Sequence, residues 1–182
     1  MTPTAENGRP ADAAGRLPTE TETYDFLDTL GIPYLRVDHA PAMTMEDCAD
    51  IDRILGTRMC KNLLLQNRQG TEYYLLMMPD RRFLTKSLSA ALGTARLSFA
   101  PGEKMEEYLG IRPGALSVLG LRNDREGHVR LLIDRSVAED EYVGVHPCVN
   151  TSSLKIRMSD LMEKFLPAVG HTATVVTLAY GD

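Results

Sequence analysis

Two apolar runs separated by a short polar turn place the strongest constraint on how this chain folds. The first run is Lys61–Gln66 and the second is Glu72–Met78. Asn67–Gly70 lies between them and is rich in residues that favour turns. This pattern predicts a β-hairpin, which ends at Pro79-Asp80.

Short helices and strands are predicted along the rest of the chain. A first helix begins at Thr19–Glu22, which supplies a cap and first-turn acids. Further helices are predicted over Thr44–Leu55, Lys86–Leu92, Pro101–Leu109 and Ser159–Leu166. The further strands are Ile32–Val37, Arg96–Phe99, Ala115–Leu121, Val129–Ile133, Tyr142–Val145, Ser152–Ile156 and Thr172–Leu178. This mixture predicts a single α+β domain whose mixed sheet is curved or barrel-like and surrounded by helices.

The N-terminal segment differs from the rest in composition. Met1–Pro18 is rich in Thr, Ala, Gly, Pro and Asp and shows no periodicity. Such a segment is typical of a mobile tail. We therefore place the folded domain at residues 19–182.

Composition excludes several classes of protein. The 182 residues are 43% hydrophobic and 25% charged, which suits one domain with an ordinary core. A net charge of -5 argues against a general DNA or RNA binder but allows a local basic patch. Three cysteines without a C-x-x-C pair fit a reducing cytoplasm, and no apolar run is long enough for a signal peptide or a membrane span. We expect a cytoplasmic protein that binds neither DNA nor membrane.

Common catalytic motifs are absent from the sequence. It has no Gly-rich phosphate loop, no G-x-S-x-G elbow and no histidine pair with metal-ligand spacing. We therefore predict no metal and no cofactor. Cys60 and Cys148 are expected to be small buried hydrophobic residues, since neither has an adjacent base.

Three segments could carry chemistry, and each has a simpler structural interpretation. Lys61 opens an apolar strand, where its ammonium could reach a phosphate or a carbonyl oxygen; it could equally be a solvated strand-end lysine. His146-Pro147 leads into Asn150 and Thr151, whose polar groups could bind a ligand or simply stabilise a turn. The loop Gly110–Gly114 could bring backbone N–H groups to a ligand or only connect two elements.

The order of several motifs resembles a known family. Cys60-Lys61-Asn62-Leu63-Leu64-Leu65 is followed by Leu97-Ser98-Phe99-Ala100, then by Pro113–Leu121, and finally by His146-Pro147-Cys148-Val149-Asn150-Thr151. This order, over about Thr21 to Leu166, resembles the YbaK/ProX family, which is related to the editing domain of bacterial prolyl-tRNA synthetase. The chain is most similar to the ProX/PrdX branch, the free-standing Ala-tRNA(Pro) deacylases.

The resemblance implies an activity and a partner. The activity is hydrolysis of the ester that joins a wrong amino acid, here alanine, to the terminal adenosine of proline tRNA. The partner is the acceptor end of that tRNA, and prolyl-tRNA synthetase is a further possible partner. Family members lack a conventional nucleophile, and the substrate's own ribose hydroxyl helps to activate water.

The resemblance also assigns residues to the site. Lys61 takes the place of the family's signature lysine, and the predicted catalytic residues are Lys61 and His146, with His146 shaping the pocket rather than acting as a base. The residues predicted to bind substrate are Asn62, Gly110, Pro113, Gly114, Ser117, Gly144, Val145, Asn150 and Thr151, with Met45 and Leu63 as candidate pocket walls. Two alternatives stay open: the same chemistry on a Cys or Ser ester, and a non-catalytic module that binds tRNA or a synthetase.

Overall fold

The computed structural model describes residues 2–42 and 45–181. In chain order its strands are β1 (Ala5–Asn7), β2 (Tyr34–Asp38), β3 (Lys61–Gln66), β4 (Tyr73–Met78), β5 (Ser98–Phe99), β6 (Val129–Asp134), β7 (Tyr142–Val145), β8 (Ser152–Arg157) and β9 (Ala173–Val176). Its helices are α1 (Pro18–Thr29), α2 (Met45–Leu55), α3 (Thr85–Leu92), α4 (Gly102–Leu109), α5 (Arg135–Ala138), α6 (Met158–Asp160) and α7 (Leu166–Ala168). A 3-10 segment covers Val118–Asn123, and a π-helical segment, Leu161–Phe165, joins α6 to α7.

The strands of the described chain form two sheets. The first has the order β1-β2-β8-β7, with every pair antiparallel. The second has the order β5-β3-β4-β6-β9, in which β4, β6 and β9 are parallel and the remaining pairs are antiparallel. The α+β prediction is confirmed, but two open sheets stand in place of one barrel-like sheet.

The predicted hairpin is the centre of the second sheet. Lys61 pairs with Met78 and Gln66 with Tyr73 across β3 and β4. All six residues of β4 are buried, because helices or loops cover both faces of this central strand. Alternate residues face opposite sides, so Tyr73, Leu75 and Met77 join the main core, while Tyr74, Leu76 and Met78 join a smaller apolar cluster on the other face.

One predicted strand is wrong. Ala115–Leu121 was predicted to be extended, but the 3-10 segment begins at Val118, after Ser117. The Ser117 hydroxyl accepts a hydrogen bond from the Leu119 N–H at 3.1 Å and so caps this segment. Because the whole run is buried, its continuous apolar pattern looks the same in a buried strand and in a buried turn.

The N-terminal segment also differs from the mobile tail predicted for Met1–Pro18. Ala5–Asn7 pairs with β2 as an edge strand. The guanidinium of Arg36, which is 1% exposed, is held by the Glu6 carboxylate at 2.5 Å and the Gly8 carbonyl at 3.1 Å. A buried cation needs such partners, and composition alone did not show that this segment supplies them.

Two further points concern the ends of helices. α1 begins at Pro18, which suits a first helical position because proline has no N–H to satisfy. The predicted cap of α2, Thr44, lies outside the described residues.

Among the described residues, no helix is both long and apolar enough to cross a lipid bilayer.

A close approach at Gly144 joins the two sheets. Gly144 lies in β7, and its N–H donates to the Arg58 carbonyl at 3.2 Å while its carbonyl accepts from the Cys60 N–H at 3.1 Å. A β-carbon on Gly144 would lie 2.8 Å from the Arg58 carbonyl oxygen and 2.9 Å from the Met59 Cα. Only glycine allows the backbones to approach this closely, so Gly144 fixes where β3 begins relative to β7.

We predict that Gly144→Ala destabilises the fold. The added methyl group must push two hydrogen-bonded backbones apart, so the free energy of unfolding should fall by about 1–3 kcal/mol, the usual cost of overpacking. Urea denaturation followed by circular dichroism measures this change. Gly181→Ala is the matched control, because its β-carbon would meet only the Leu84 side chain at 3.6 Å. Equal midpoints for the two variants would contradict the prediction.

Candidate active site

A cavity of about 340 Å³ opens where β3 begins, next to the end of β7. It contains five of the residues that sequence analysis assigned to the site: Lys61, Asn62, Leu63, Gly114 and His146. The full lining is Cys60, Lys61, Asn62, Leu63, Leu64, Phe99, Ala100, Met105, Gly114, Leu116 and His146. Residues from β3, β5, α4 and four connecting segments therefore meet at one place.

Lys61 supplies the positive charge of this cavity. It is the first residue of β3, and its side chain is 44% exposed. Its Nζ lies 3.8 Å from Asp80 Oδ1, which is a long contact between two exposed groups and holds the ammonium only weakly. The ammonium can therefore turn to an anionic or carbonyl oxygen in the cavity.

Asn62 follows Lys61 but does not reach into the cavity with a free amide. Its Nδ2 donates to the Cys60 carbonyl at 3.3 Å, and its Oδ1 lies 3.7 Å from the Cys60 Sγ. These contacts bend the side chain back toward Cys60. Asn62 therefore fixes the backbone around Lys61.

His146 supplies a neutral ring. Its Nδ1 lies 2.9 Å from the Ser152 carbonyl, so Nδ1 carries a proton and donates it. Burial lowers the pKa of His146 below its ordinary value of 6.5, the hydrogen bond to Ser152 partly offsets this, and nearby His39 lowers it further. Nε2 then has a free lone pair near neutral pH and can accept a hydrogen bond from a ligand.

The remaining predicted residues divide between a second cavity and the core. Gly110, Pro113, Asn150 and Thr151 line a neighbouring cavity of about 420 Å³. The two cavities adjoin at Gly114, because a β-carbon there would lie 3.9 Å from the Asn150 Nδ2. The structure therefore divides the predicted binding residues between two adjacent spaces.

Three predicted residues do not line the cavity but hold the backbone around it. Ser117 and Val145 are fully buried, and Gly144 forms the close approach between the sheets. Their positions fix the backbone that carries Gly114 and His146. The side chain of Met45, a predicted pocket wall, lies outside what the structure describes.

Six lining residues were not predicted to belong to the site: Cys60, Leu64, Phe99, Ala100, Met105 and Leu116. Phe99 and Ala100 belong to one of the motifs that resemble the family, but no sequence signal indicates where their side chains lie. An apolar residue at the end of a short strand looks the same whether it is buried or lines a cavity. The pairing of β5 with β3, in which Phe99 lies opposite Leu65, brings Phe99 to the cavity that Lys61 also lines.

The cysteines near the site are poor nucleophiles. Burial raises the pKa of the Cys60 thiol to about 12. Burial also raises the pKa of Cys148, which is 3% exposed. Since the thiolate is the reactive form, neither residue supplies a nucleophile near neutral pH. The cavity can polarise a carbonyl group and orient water, but the lining offers no activated group for covalent catalysis.

Comparisons with known proteins identify the family of this chain. The family model described as the aminoacyl-tRNA editing domain matches residues 39–164. The prolyl-tRNA editing protein ProX of Acetoanaerobium sticklandii is 32% identical over 84% of this chain and 93% of its own length. The prolyl-tRNA synthetase associated domain-containing protein 1 of Mus musculus is 28% identical over 82% of this chain and 90% of its own.

A solved structure of a protein described as a candidate trans-editing enzyme for prolyl-tRNA synthetase shares the fold. It superposes with a TM-score of 0.65 and 17% identity, covering 91% of this chain and 99% of that one. The family match spans Lys61, Gly114 and His146 together. The chain therefore belongs to the aminoacyl-tRNA editing domain family.

Proposed function

We propose that this protein is a trans-acting deacylase that hydrolyses alanine from mischarged proline tRNA. The observation that carries the proposal is the Lys61 cavity, in which a weakly paired ammonium and a neutral imidazole lie together in a chain of the editing family. The name of the Acetoanaerobium relative, a prolyl-tRNA editing protein, supports proline tRNA as the target.

The reaction needs positioning and charge stabilisation more than a nucleophile. An aminoacyl ester is already activated, and water attacks its carbonyl carbon to release alanine and the ribose hydroxyl. Lys61 holds the developing oxyanion or the adjacent 3′-terminal phosphate as a point charge. The free Nε2 of His146 accepts a hydrogen bond from the ribose hydroxyl or the water, and the neighbouring ribose hydroxyl of the substrate helps to activate that water.

Selectivity for alanine follows from the size of the site. A synthetase built for proline rejects alanine weakly, because a few missing methylenes are worth only about 1–3 kcal/mol. A second site that admits alanine and excludes the larger proline ring corrects this error. Leu63, Met105 and Leu116 are the apolar walls of the Lys61 cavity that would set this size limit.

The proposed activity assigns the protein a ligand, a related enzyme and a cellular compartment. The ligand is the acceptor end of proline tRNA, because that end carries the ester that the site would cleave. Prolyl-tRNA synthetase is the enzyme whose errors the protein would correct. Both belong to the cytoplasm, which is where the three free cysteines also fit.

Hydrolysis of three aminoacyl-tRNAs tests the proposed substrate. We expect rapid release of alanine from Ala-tRNA(Pro) and slow release of proline from Pro-tRNA(Pro), because the apolar walls exclude the larger ring. Ala-tRNA(Ala) reports whether the acceptor stem matters, while Cys-tRNA(Pro) and Ser-tRNA(Pro) test the alternative amino acids. Faster hydrolysis of the proline ester than of the alanine ester would refute the size argument.

Replacing Lys61 tests the role of its charge. Lys61→Ala should reduce the single-turnover rate on Ala-tRNA(Pro) by roughly 10²–10³-fold, the loss typical of one group that stabilises an oxyanion. Lys164→Ala is the control, because Lys164 is exposed and pairs with Asp160 away from the cavity. A folded Lys61→Ala protein with near-normal rates would rule out this role.

The pH dependence tests the neutral form of His146. Because burial lowers its pKa, His146 stays neutral down to below pH 6.5, so activity should be flat above that value and fall only at lower pH. His146→Ala should slow the reaction and remove this acidic limb. His128→Gln is the control, since that ring is exposed beside Glu126. An acidic limb that persists unchanged in His146→Ala would show that another group titrates.

A further inference from the structure

Phe99 is an exposed aromatic ring at the mouth of the candidate site. It is 70% exposed, the largest value among the four exposed large hydrophobic residues of the described chain. The other three phenylalanines, Phe26, Phe83 and Phe165, pack within the two apolar clusters. Phe99 belongs to neither cluster and stacks on no other ring among the described residues.

The backbone holds this ring in a fixed place. Phe99 pairs with Leu65 of β3, and the following residue, Ala100, donates its N–H to the Leu64 carbonyl at 2.9 Å. Leu97, two residues earlier, is 2% exposed and anchors the strand in the second cluster. The chain therefore presents Phe99 from a fixed backbone rather than from a free loop.

The neighbours of Phe99 define the chemistry of its ligand. The ring lines the same cavity as the Lys61 ammonium and the His146 imidazole. A single exposed hydrophobic residue is common on protein surfaces, but this one shares a cavity with a weakly paired cation and a hydrogen-bond acceptor. A flat apolar face beside a cation suits a nucleoside phosphate, whose base stacks while its phosphate meets the charge.

We propose that Phe99 forms a nucleobase subsite and stacks on the 3′-terminal adenine of the substrate RNA. This inference rests on the proposed function, because the terminal adenosine carries the ester that the site would cleave. The alanyl group is small and is placed in the inner part of the cavity near Leu116, which is 7% exposed. The adenine is the aromatic group attached to the same ribose, so it is the base assigned to the exposed ring at the mouth.

A fluorescence titration tests the subsite without any hydrolysis. The chain has no tryptophan, so Phe99→Trp places a single tryptophan at the mouth of the cavity, and its emission can be excited selectively over that of the seven tyrosines. Its emission should change on addition of an unacylated minihelix ending in CCA. The same RNA with an abasic 3′-terminal residue should bind about ten-fold more weakly, the loss expected when one stacked base is removed.

The control for this titration lies at the opposite edge of the same sheet. Val175 is 40% exposed on β9, whereas Phe99 lies on β5. The emission of Val175→Trp should not distinguish the two RNAs. Equal affinity of Phe99→Trp for the CCA-ended and the abasic RNA would overturn the inference.

Kinetics of three variants supply an independent test. Phe99→Leu keeps an apolar side chain but removes the aromatic face, so KM for the alanyl minihelix should rise about ten-fold with little change in kcat. Phe99→Tyr should restore the wild-type KM, and Val175→Leu should leave it unchanged. A wild-type KM for Phe99→Leu would overturn the inference. Failure of the proposed function shows separately, as a wild-type protein that hydrolyses no aminoacyl ester, while the titration still decides whether the base stacks.

Discussion

The close approach of two backbones at Gly144 determines where the candidate site can form. Gly144 exchanges hydrogen bonds with Arg58 and Cys60, and a β-carbon there would overlap both the Arg58 carbonyl and Met59. His146 comes two residues after Gly144, just past the end of β7, and Lys61 comes two residues after Met59, at the start of β3. Because these intervals are short, the glycine contact sets where the backbones of Lys61 and His146 lie relative to each other.

A second set of contacts supports His146 from the opposite side. The ring donates to the Ser152 carbonyl, and the Ser152 hydroxyl donates to Asp38 at 3.0 Å. Burial alone would raise the pKa of Asp38, but hydrogen bonds from Arg16, Arg36 and Ser152 lower it well below its usual range. Asp38 therefore stays ionised and ties the N-terminal segment, β2 and β8 together behind the imidazole.

The site combines a weakly held charge with a ring that is fixed by a hydrogen bond. Lys61 is half-exposed and weakly paired, whereas His146 donates from Nδ1 to the Ser152 carbonyl. This division suits hydrolysis of an activated ester, in which a cation must follow the changing charge on an oxygen while the rest of the cavity holds its shape. The buried thiols near the cavity contribute packing rather than reactivity, since burial raises their pKa values.

Sequence alone determined the helices and strands that show strong hydrophobic periodicity or that end at residues typical of turns and helix caps. The β3–β4 hairpin and the segments around His146 were predicted because alternation and turn residues are local signals. Tertiary structure decided the rest. Long-range contacts place Ser117 and Val145 in the core and divide Gly114 and Asn150 between adjoining cavities. They also bring Phe99 to the cavity that Lys61 lines. Those positions depend on which strands pair and which backbones touch, and such long-range contacts leave no periodic trace in the sequence.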